Sequence, residues 1–283
     1  MMRCVQCGTL RAPSLDLCPK CKADLSKAVQ VHPLSEAHEP VTRPFALEAA
    51  LAFSYPVAIR GVMAITAAAF VFAFCSLALA FIPPSAFYAL VFLILIIFFT
   101  GLYLVTYLVD VVRESAAGKP EMPEWPTPSQ SGGNWRTFLP AGLLCVVLPQ
   151  IVWWSVIVAH GRVPSLAEMG WILAAGCLYL PMAALAATLL GTPLAVSPHI
   201  VLPAIFKAPL ATILAATLLW CTIAGWHVAE AAVTQQAKDS LYAPFLARLA
   251  ADALVCYLLL VASRLIGVTY WCYRKELGWF RSV

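Results

Sequence analysis

Between Arg60 and Asp110 the chain runs for 49 residues without a charged side chain or a histidine. A transmembrane helix needs only about 20 consecutive apolar residues. The stretch is too long and too uniformly apolar to face water, and it is long enough for two crossings of a bilayer. Pro83-Pro84 falls near its middle. Proline has no amide donor to give a helix interior, so the turn belongs there. Helices are predicted over 57–82 and 85–109. In lipid each backbone polar group must be satisfied within the protein, which leaves the α-helix as the form these segments take.

The rest of the chain continues the pattern. Hydrophobic residues make up 62% and charged residues 11%, against about half and about a quarter in ordinary soluble domains. Further uncharged runs predict helices over 137–159, 169–192 (with Pro181 as a kink), 210–233 and 249–271. The segment 193–209 holds Pro193, Pro198, Pro203 and Pro209 and is read as a surface elbow or a re-entrant piece. The segment 110–136 carries Asp110, Arg113, Glu114, Lys119, Glu121 and Glu124 among four prolines and is read as a loop, partly extended. A short interfacial helix is expected over 45–53, after Pro44. The expected fold is an all-α integral membrane protein of about six transmembrane helices preceded by a small cysteine-rich module. Its parts are a module at 1–25, a linker at 26–56, a membrane domain at 57–273 and a tail at 274–283.

Charge sets the expected orientation. The chain has 18 Lys and Arg residues. With six spans and an inside N-terminus, all but Arg162, Lys238 and Arg248 fall on the inner side, as the positive-inside rule requires. The opening Met1-Met2-Arg3-Cys4 runs into polar residues, so the first apolar helix is expected to act as an uncleaved anchor. Both termini are then cytosolic. The formal net charge of +4 is too small and too dispersed to point to nucleic acid.

The one strong chemical motif is a pair of pairs, Cys4-x2-Cys7 and Cys18-x2-Cys21. Two residues between thiolates let both sulfurs of one turn face a single ion. Two such turns make a tetrahedral four-sulfur cage suited to zinc. Gly8 and Pro19 fit tight knuckle turns, and 8–17 is long enough for a short hairpin. Cys4, Cys7, Cys18 and Cys21 are therefore the expected ligands of one structural Zn2+. A module this small has little core, so the metal would supply much of its folding energy. The remaining cysteines, Cys75, Cys145, Cys177, Cys221, Cys256 and Cys272, stand singly in or beside apolar runs and behave as small hydrophobes.

Other polar groups are sparse. His227 and Glu230 share a helix face, Asp252 opens the last helix, and His160 and Glu168 sit in a loop. They read as water-exposed helix ends on the outer side, with a metal or proton site as the alternative. Arg264 lies about 18 Å beyond Asp252 along the last helix and is expected to snorkel to the inner surface, with pairing to Asp110 as the alternative. Tyr270, Trp271, Tyr273, Trp279 and Phe280 form an inner aromatic belt beside Arg274 and Lys275. Trp125, between Pro123 and Pro126, is either a headgroup anchor or an anchor for a partner.

The cysteine pairs, the loop Gly118-Lys119-Pro120-Glu121-Met122-Pro123-Glu124-Trp125 and the tail Tyr270-Trp271-Cys272-Tyr273-Arg274-Lys275-Glu276-Leu277-Gly278-Trp279 carry a resemblance. The chain resembles bacterial polytopic inner-membrane proteins of unknown function with an N-terminal zinc ribbon, loosely akin to Yip-like membrane proteins. The resemblance implies a bacterial inner membrane and a cytosolic ribbon, and it implies no reaction. The expected function is a non-enzymatic scaffold or regulator whose protein partner docks at the ribbon and the 114–136 loop. A small-solute transporter or channel comes second and an intramembrane enzyme last.

Overall fold

The computed structural model describes residues 2–3, 10–11, 29–30, 44–83, 85–125, 148–159, 161, 166–236 and 242–279. The chain divides into two units, Met1–Thr42 with Gly278–Val283, and Arg43–Leu277.

In the first unit three two-residue strands, β1 (Met2–Arg3), β2 (Leu10–Arg11) and β3 (Val29–Gln30), form an antiparallel sheet in the order β2-β1-β3. Met2 pairs with Arg11 and Arg3 with Leu10, so the chain reverses across the interval that contains Cys4 and Cys7 in sequence. β3 returns to the other edge of β1 after the interval that contains Cys18 and Cys21. The four cysteines themselves lie outside the described residues.

The second unit is helical: α1 (Phe45–Ser54), α2 (Ile59–Phe81), α3 (Phe87–Ala116), α4 (Leu148–Ala159), α5 (Leu166–Leu190), α6 (Pro198–Lys207), α7 (Pro209–Gln236) and α8 (Tyr242–Leu277). Among the described residues, five helices are long and apolar enough to cross a membrane; they lie in α2, α3, α5, α7 and α8. The helix expected over 137–159 is represented by the 12 residues of α4, and 137–147 lies outside the described residues.

Burial is arranged for lipid. Phe70, Phe74, Phe92, Phe98, Phe99 and Trp171 are exposed, an arrangement that water would penalise by about 25 cal/mol per Å² and a bilayer does not. The interior combines leucines, valines and Tyr107 with many small residues. Ala69 and Ala73 on α2, Ala183, Ala184, Ala186 and Ala187 on α5 and Ala211 and Ala215 on α7 are buried. Small side chains let helix backbones approach closely where no hydrophobic effect drives them together. α8 is the central element, packed against α2, α3 and α7 and also against α1. The approach of α3 to α8 is tightest at Gly267, where a Cβ would collide with Ser115 Cβ and stand 2.5 Å from the Val112 carbonyl.

Two expected boundaries are corrected. α3 continues to Ala116, seven residues past its expected end. Val109, Val111, Val112, Ser115 and Ala116 are buried, so tertiary packing sustains the helix after its other face has turned polar. α8 likewise extends to Leu277, with a break in helical geometry at Tyr273. The proline-rich elbow holds a 3-10 turn, Pro193–Val196, and then α6. Pro198 and Pro209 open α6 and α7, at the first helical position where an amide would have no intrahelical partner. The short helix expected over 45–53 is α1. It buries Ala49 and Ala52 against Val261 and Leu265 of α8 and leaves Leu47, Leu51 and Phe53 exposed.

Candidate functional site

One group of described polar residues in the second unit gathers where α3 ends. Gly118 has a left-handed φ of 79°. The Gly118 amide donates to the Ser115 carbonyl at 3.0 Å and the Lys119 amide to the Glu114 carbonyl at 3.1 Å. These two bonds make a Schellman stop. A Cβ on Gly118 would also lie 2.7 Å from the Trp271 ring, so both backbone angle and space require glycine.

That stop delivers the Lys119 carbonyl to Arg264. Arg264 is only 7% exposed, and the expected snorkelling does not occur. Its Nη1 donates to the Lys119 carbonyl at 2.6 Å and to Ser115 Oγ at 3.0 Å. Nη2 lies 4.0 Å from Glu48 Oε2 of α1, and the guanidinium stacks 4.8 Å from the Tyr55 ring centroid. A buried charge is tolerated when ion pairing and hydrogen bonds replace its water, and here four segments supply them. Asp110, the alternative partner, is instead 4.0 Å from Arg113. Burial pushes the Tyr55 phenol well above its ordinary range, with Arg264 opposing. The phenol is therefore a neutral donor, and its O–H donates a hydrogen bond to the Glu121 carbonyl at 3.3 Å.

The loop beyond is held along its length. Arg60 Nη1 donates to the Met122 carbonyl at 3.0 Å. The Met122 side chain is buried. Its sulfur accepts from Tyr107 Oη at 3.9 Å and fills the space left by Gly61, where a Cβ would come within 2.9 Å of it. Trp125 stacks on Tyr103 and Tyr107, with ring centroids 6.1 and 5.9 Å apart. Lys119 Nζ and Glu114 Oε2 form an ion pair at 2.5 Å. Residues 117–125 are thus fastened back onto α2, α3 and α8. Under them lies a polar cleft of about 810 Å³, lined by Arg60, Asp110, Arg113, Glu114, Lys119 and Glu121 and closed on one side by 122–125.

The other predicted polar residues do not join this site. Asp252, expected at a wet helix end, is 4% exposed and bonds Arg248 Nε at 3.2 Å within the first turns of α8. Arg248 also stacks on Trp226 at 5.3 Å. His227 is exposed and lies edge-on to Trp226. His160 and the side chains of Glu168 and Glu230 lie outside the described residues. Trp271 packs over Gly118 and under Arg274. Among the described residues no group of three or more His, Cys, Asp or Glu side chains could hold a metal ion.

Glu48, Tyr55, Arg60, Ser115 and Met122 were not named as site residues from the sequence, though Met122 lay in the 118–125 loop that carries the resemblance. Only Arg60 carried a signal, as the charge that opens the uncharged stretch. Glu48 and Tyr55 depend on α1 and the turn after it lying along α8, some two hundred positions away in sequence, whereas Ser115 depends on α3 meeting α8 and Met122 on the loop folding back onto α2 and α3. The chain matches no protein-family model, no curated protein and no solved structure.

Proposed function

We propose that the chain is a non-enzymatic scaffold or regulator of the bacterial inner membrane. In this reading it has six spans and cytosolic termini, and a zinc ribbon on Cys4, Cys7, Cys18 and Cys21 acts as its docking element. The observation that carries the reading is the fastened 117–125 loop. A proline-rich loop pinned at Lys119, Glu121, Met122 and Trp125 is preorganised, so it loses little entropy when a partner binds. The antiparallel pairing of β1 and β2 around the first cysteine pair supports a ribbon.

A parity argument supports the sixth span. α3 ends beside the C-terminal half of α8, through Ser115 and Lys119 on Arg264. α7 begins beside the end of α8, since Lys207 Nζ donates to the Leu277 carbonyl at 3.4 Å. The link from α5 to α7 has only a 3-10 turn and the 10-residue α6, about 15 Å of helix against about 30 Å of hydrocarbon. α5 therefore ends on the face where α3 ends and begins on the opposite one. In this reading the interval 117–165 crosses an odd number of times, and the crossing is assigned to the uncharged sequence 137–159, of which α4 is the described part. The face carrying Arg60, Arg113, Lys119, Lys207, Arg274 and Lys275 becomes the cytosolic one by the positive-inside rule.

Affinity capture from detergent-solubilised membranes tests the scaffold reading. Cross-linking at Glu121 and Glu124 should trap a protein partner, and the Cys4→Ser/Cys18→Ser variant should lose that partner while still inserting in the membrane. A partner-free cross-linking pattern identical in both proteins would contradict it.

A further inference from the structure

We propose that the cleft beneath the 117–125 loop binds a phospholipid with a zwitterionic, primary-amine headgroup of the ethanolamine type. The proposal needs only that the helical unit be embedded in a bilayer and is independent of the scaffold reading.

Position is the first argument. Arg60 and Asp110 bound the uncharged stretch of 49 residues, and both line the cleft. The cleft therefore sits where hydrocarbon gives way to headgroups. Its volume of about 810 Å³ lies within the range of roughly 300–1,000 Å³ for small-ligand sites.

Shape is the second. A smaller hollow of about 420 Å³ adjoins the cleft, shares Arg60, Glu121 and Met122 with it, and continues past Tyr55 to Ile59. Val57 and Ile59 beside it are 66% and 78% exposed. A polar chamber thus lies next to a hollow lined partly by the exposed apolar Ile59, with Arg60, Glu121 and Met122 as their common wall. A lipid has the same plan: a polar head, then glycerol, then acyl chain.

Charge selects the headgroup. Arg113 is paired with Asp110 and Lys119 with Glu114. Arg60 is exposed and gives Nη1 to a carbonyl, and among the described residues no carboxylate stands within ion-pair distance of it. Glu121 and Glu124 are exposed and, among the described residues, stand in no ion pair. One open guanidinium and two open carboxylates complement a ligand that carries both a phosphate and an ammonium. Arg60 donates to the phosphate oxygens. The ammonium, with three N–H donors, donates to Glu121 and Glu124. A purely anionic headgroup meets two carboxylates for one cation, and a quaternary ammonium has no N–H to give.

The test is native mass spectrometry of the full chain purified in detergent and offered an equimolar mixture of phosphatidylethanolamine, phosphatidylcholine and phosphatidylglycerol with identical acyl chains. Retention of the ethanolamine lipid should exceed that of each competitor by about tenfold, equivalent to about 1.4 kcal/mol. Glu121→Gln/Glu124→Gln should reduce the ethanolamine lipid to the level of the choline lipid. Arg60→Gln should weaken both, and Arg60→Lys should restore part of the loss. Equal retention of the three lipids by the wild-type chain, or preference for the glycerol lipid, overturns the proposal whatever the variants do. So does an ethanolamine preference that survives the double Gln variant. Soluble phosphoethanolamine binding as tightly as the diacyl lipid overturns the assignment to a membrane lipid.

Discussion

Arg264 has exchanged its water for a carbonyl, a hydroxyl, a carboxylate and a ring face, each from a different segment. Removing the guanidinium takes away the cation 4.0 Å from Glu48 and the donor to the Lys119 carbonyl and Ser115 hydroxyl. Breaking a buried ion pair costs about 3–5 kcal/mol. Arg264→Leu should therefore lower the unfolding free energy in detergent by about that amount, and Arg264→Lys by less, because a lysine keeps the charge but not the planar fork. Thermal unfolding of the purified variants measures both, and a neutral Arg264→Leu would mean that the cluster holds nothing. Trp125 acts more locally. Its two aromatic contacts are worth about 0.5–1.5 kcal/mol each, so Trp125→Ala should leave the bundle intact and speed proteolysis within 117–125. Sequence offered two readings of this tryptophan, as a headgroup anchor or as a partner anchor. Neither includes the intramolecular stack, because Tyr103 and Tyr107 present their rings to it only once the loop has folded back.

At the scale of elements, glycines mark the close contacts. Gly267→Val should cost about 1–3 kcal/mol through overpacking, since Ser115 and the Val112 carbonyl leave no room for a side chain. Gly118→Ala should lower stability and also release the Lys119 carbonyl from Arg264, which faster amide exchange at 118–122 would report. Unchanged exchange there would mean that the left-handed stop does not position the loop. The sequence made the spans legible and their ends less so, for a physical reason. Hydropathy marks where lipid ends, whereas packing decides where a helix ends. Asp110, Arg113 and Glu114 end the uncharged stretch, yet α3 continues through them to Ala116 because Val111, Val112 and Ser115 are buried where α3 meets α8. The stop itself was present as Gly118-Lys119-Pro120, the glycine-then-proline punctuation of a helix C-terminus. Arg264 was misread for a related reason. Snorkelling is the default for a lone arginine near a helix end, and the partners that hold it come from α1 and from the end of α3, which no local pattern links to α8.

At the scale of the whole molecule, the described residues show a helical membrane unit with one polar cluster where the end of α3 meets α8 and a smaller Arg248–Asp252 pair in the first turns of α8. The unit that precedes it in sequence is read as a metal module from its cysteine spacing alone. That reading predicts about one zinc per chain by elemental analysis, and loss of the metal in the Cys4→Ser/Cys18→Ser variant. The membrane unit should keep its unfolding temperature after chelation, because it has a packed core of its own. The central claim is that six spans set the 117–125 loop on the cytosolic face. The most direct measurement uses compartment-sensitive reporters fused after Glu121 and after Gly161. With one crossing between them, the first should report the cytosol and the second the far side. Both fusions reporting the same compartment would contradict the sixth span and the parity on which it rests.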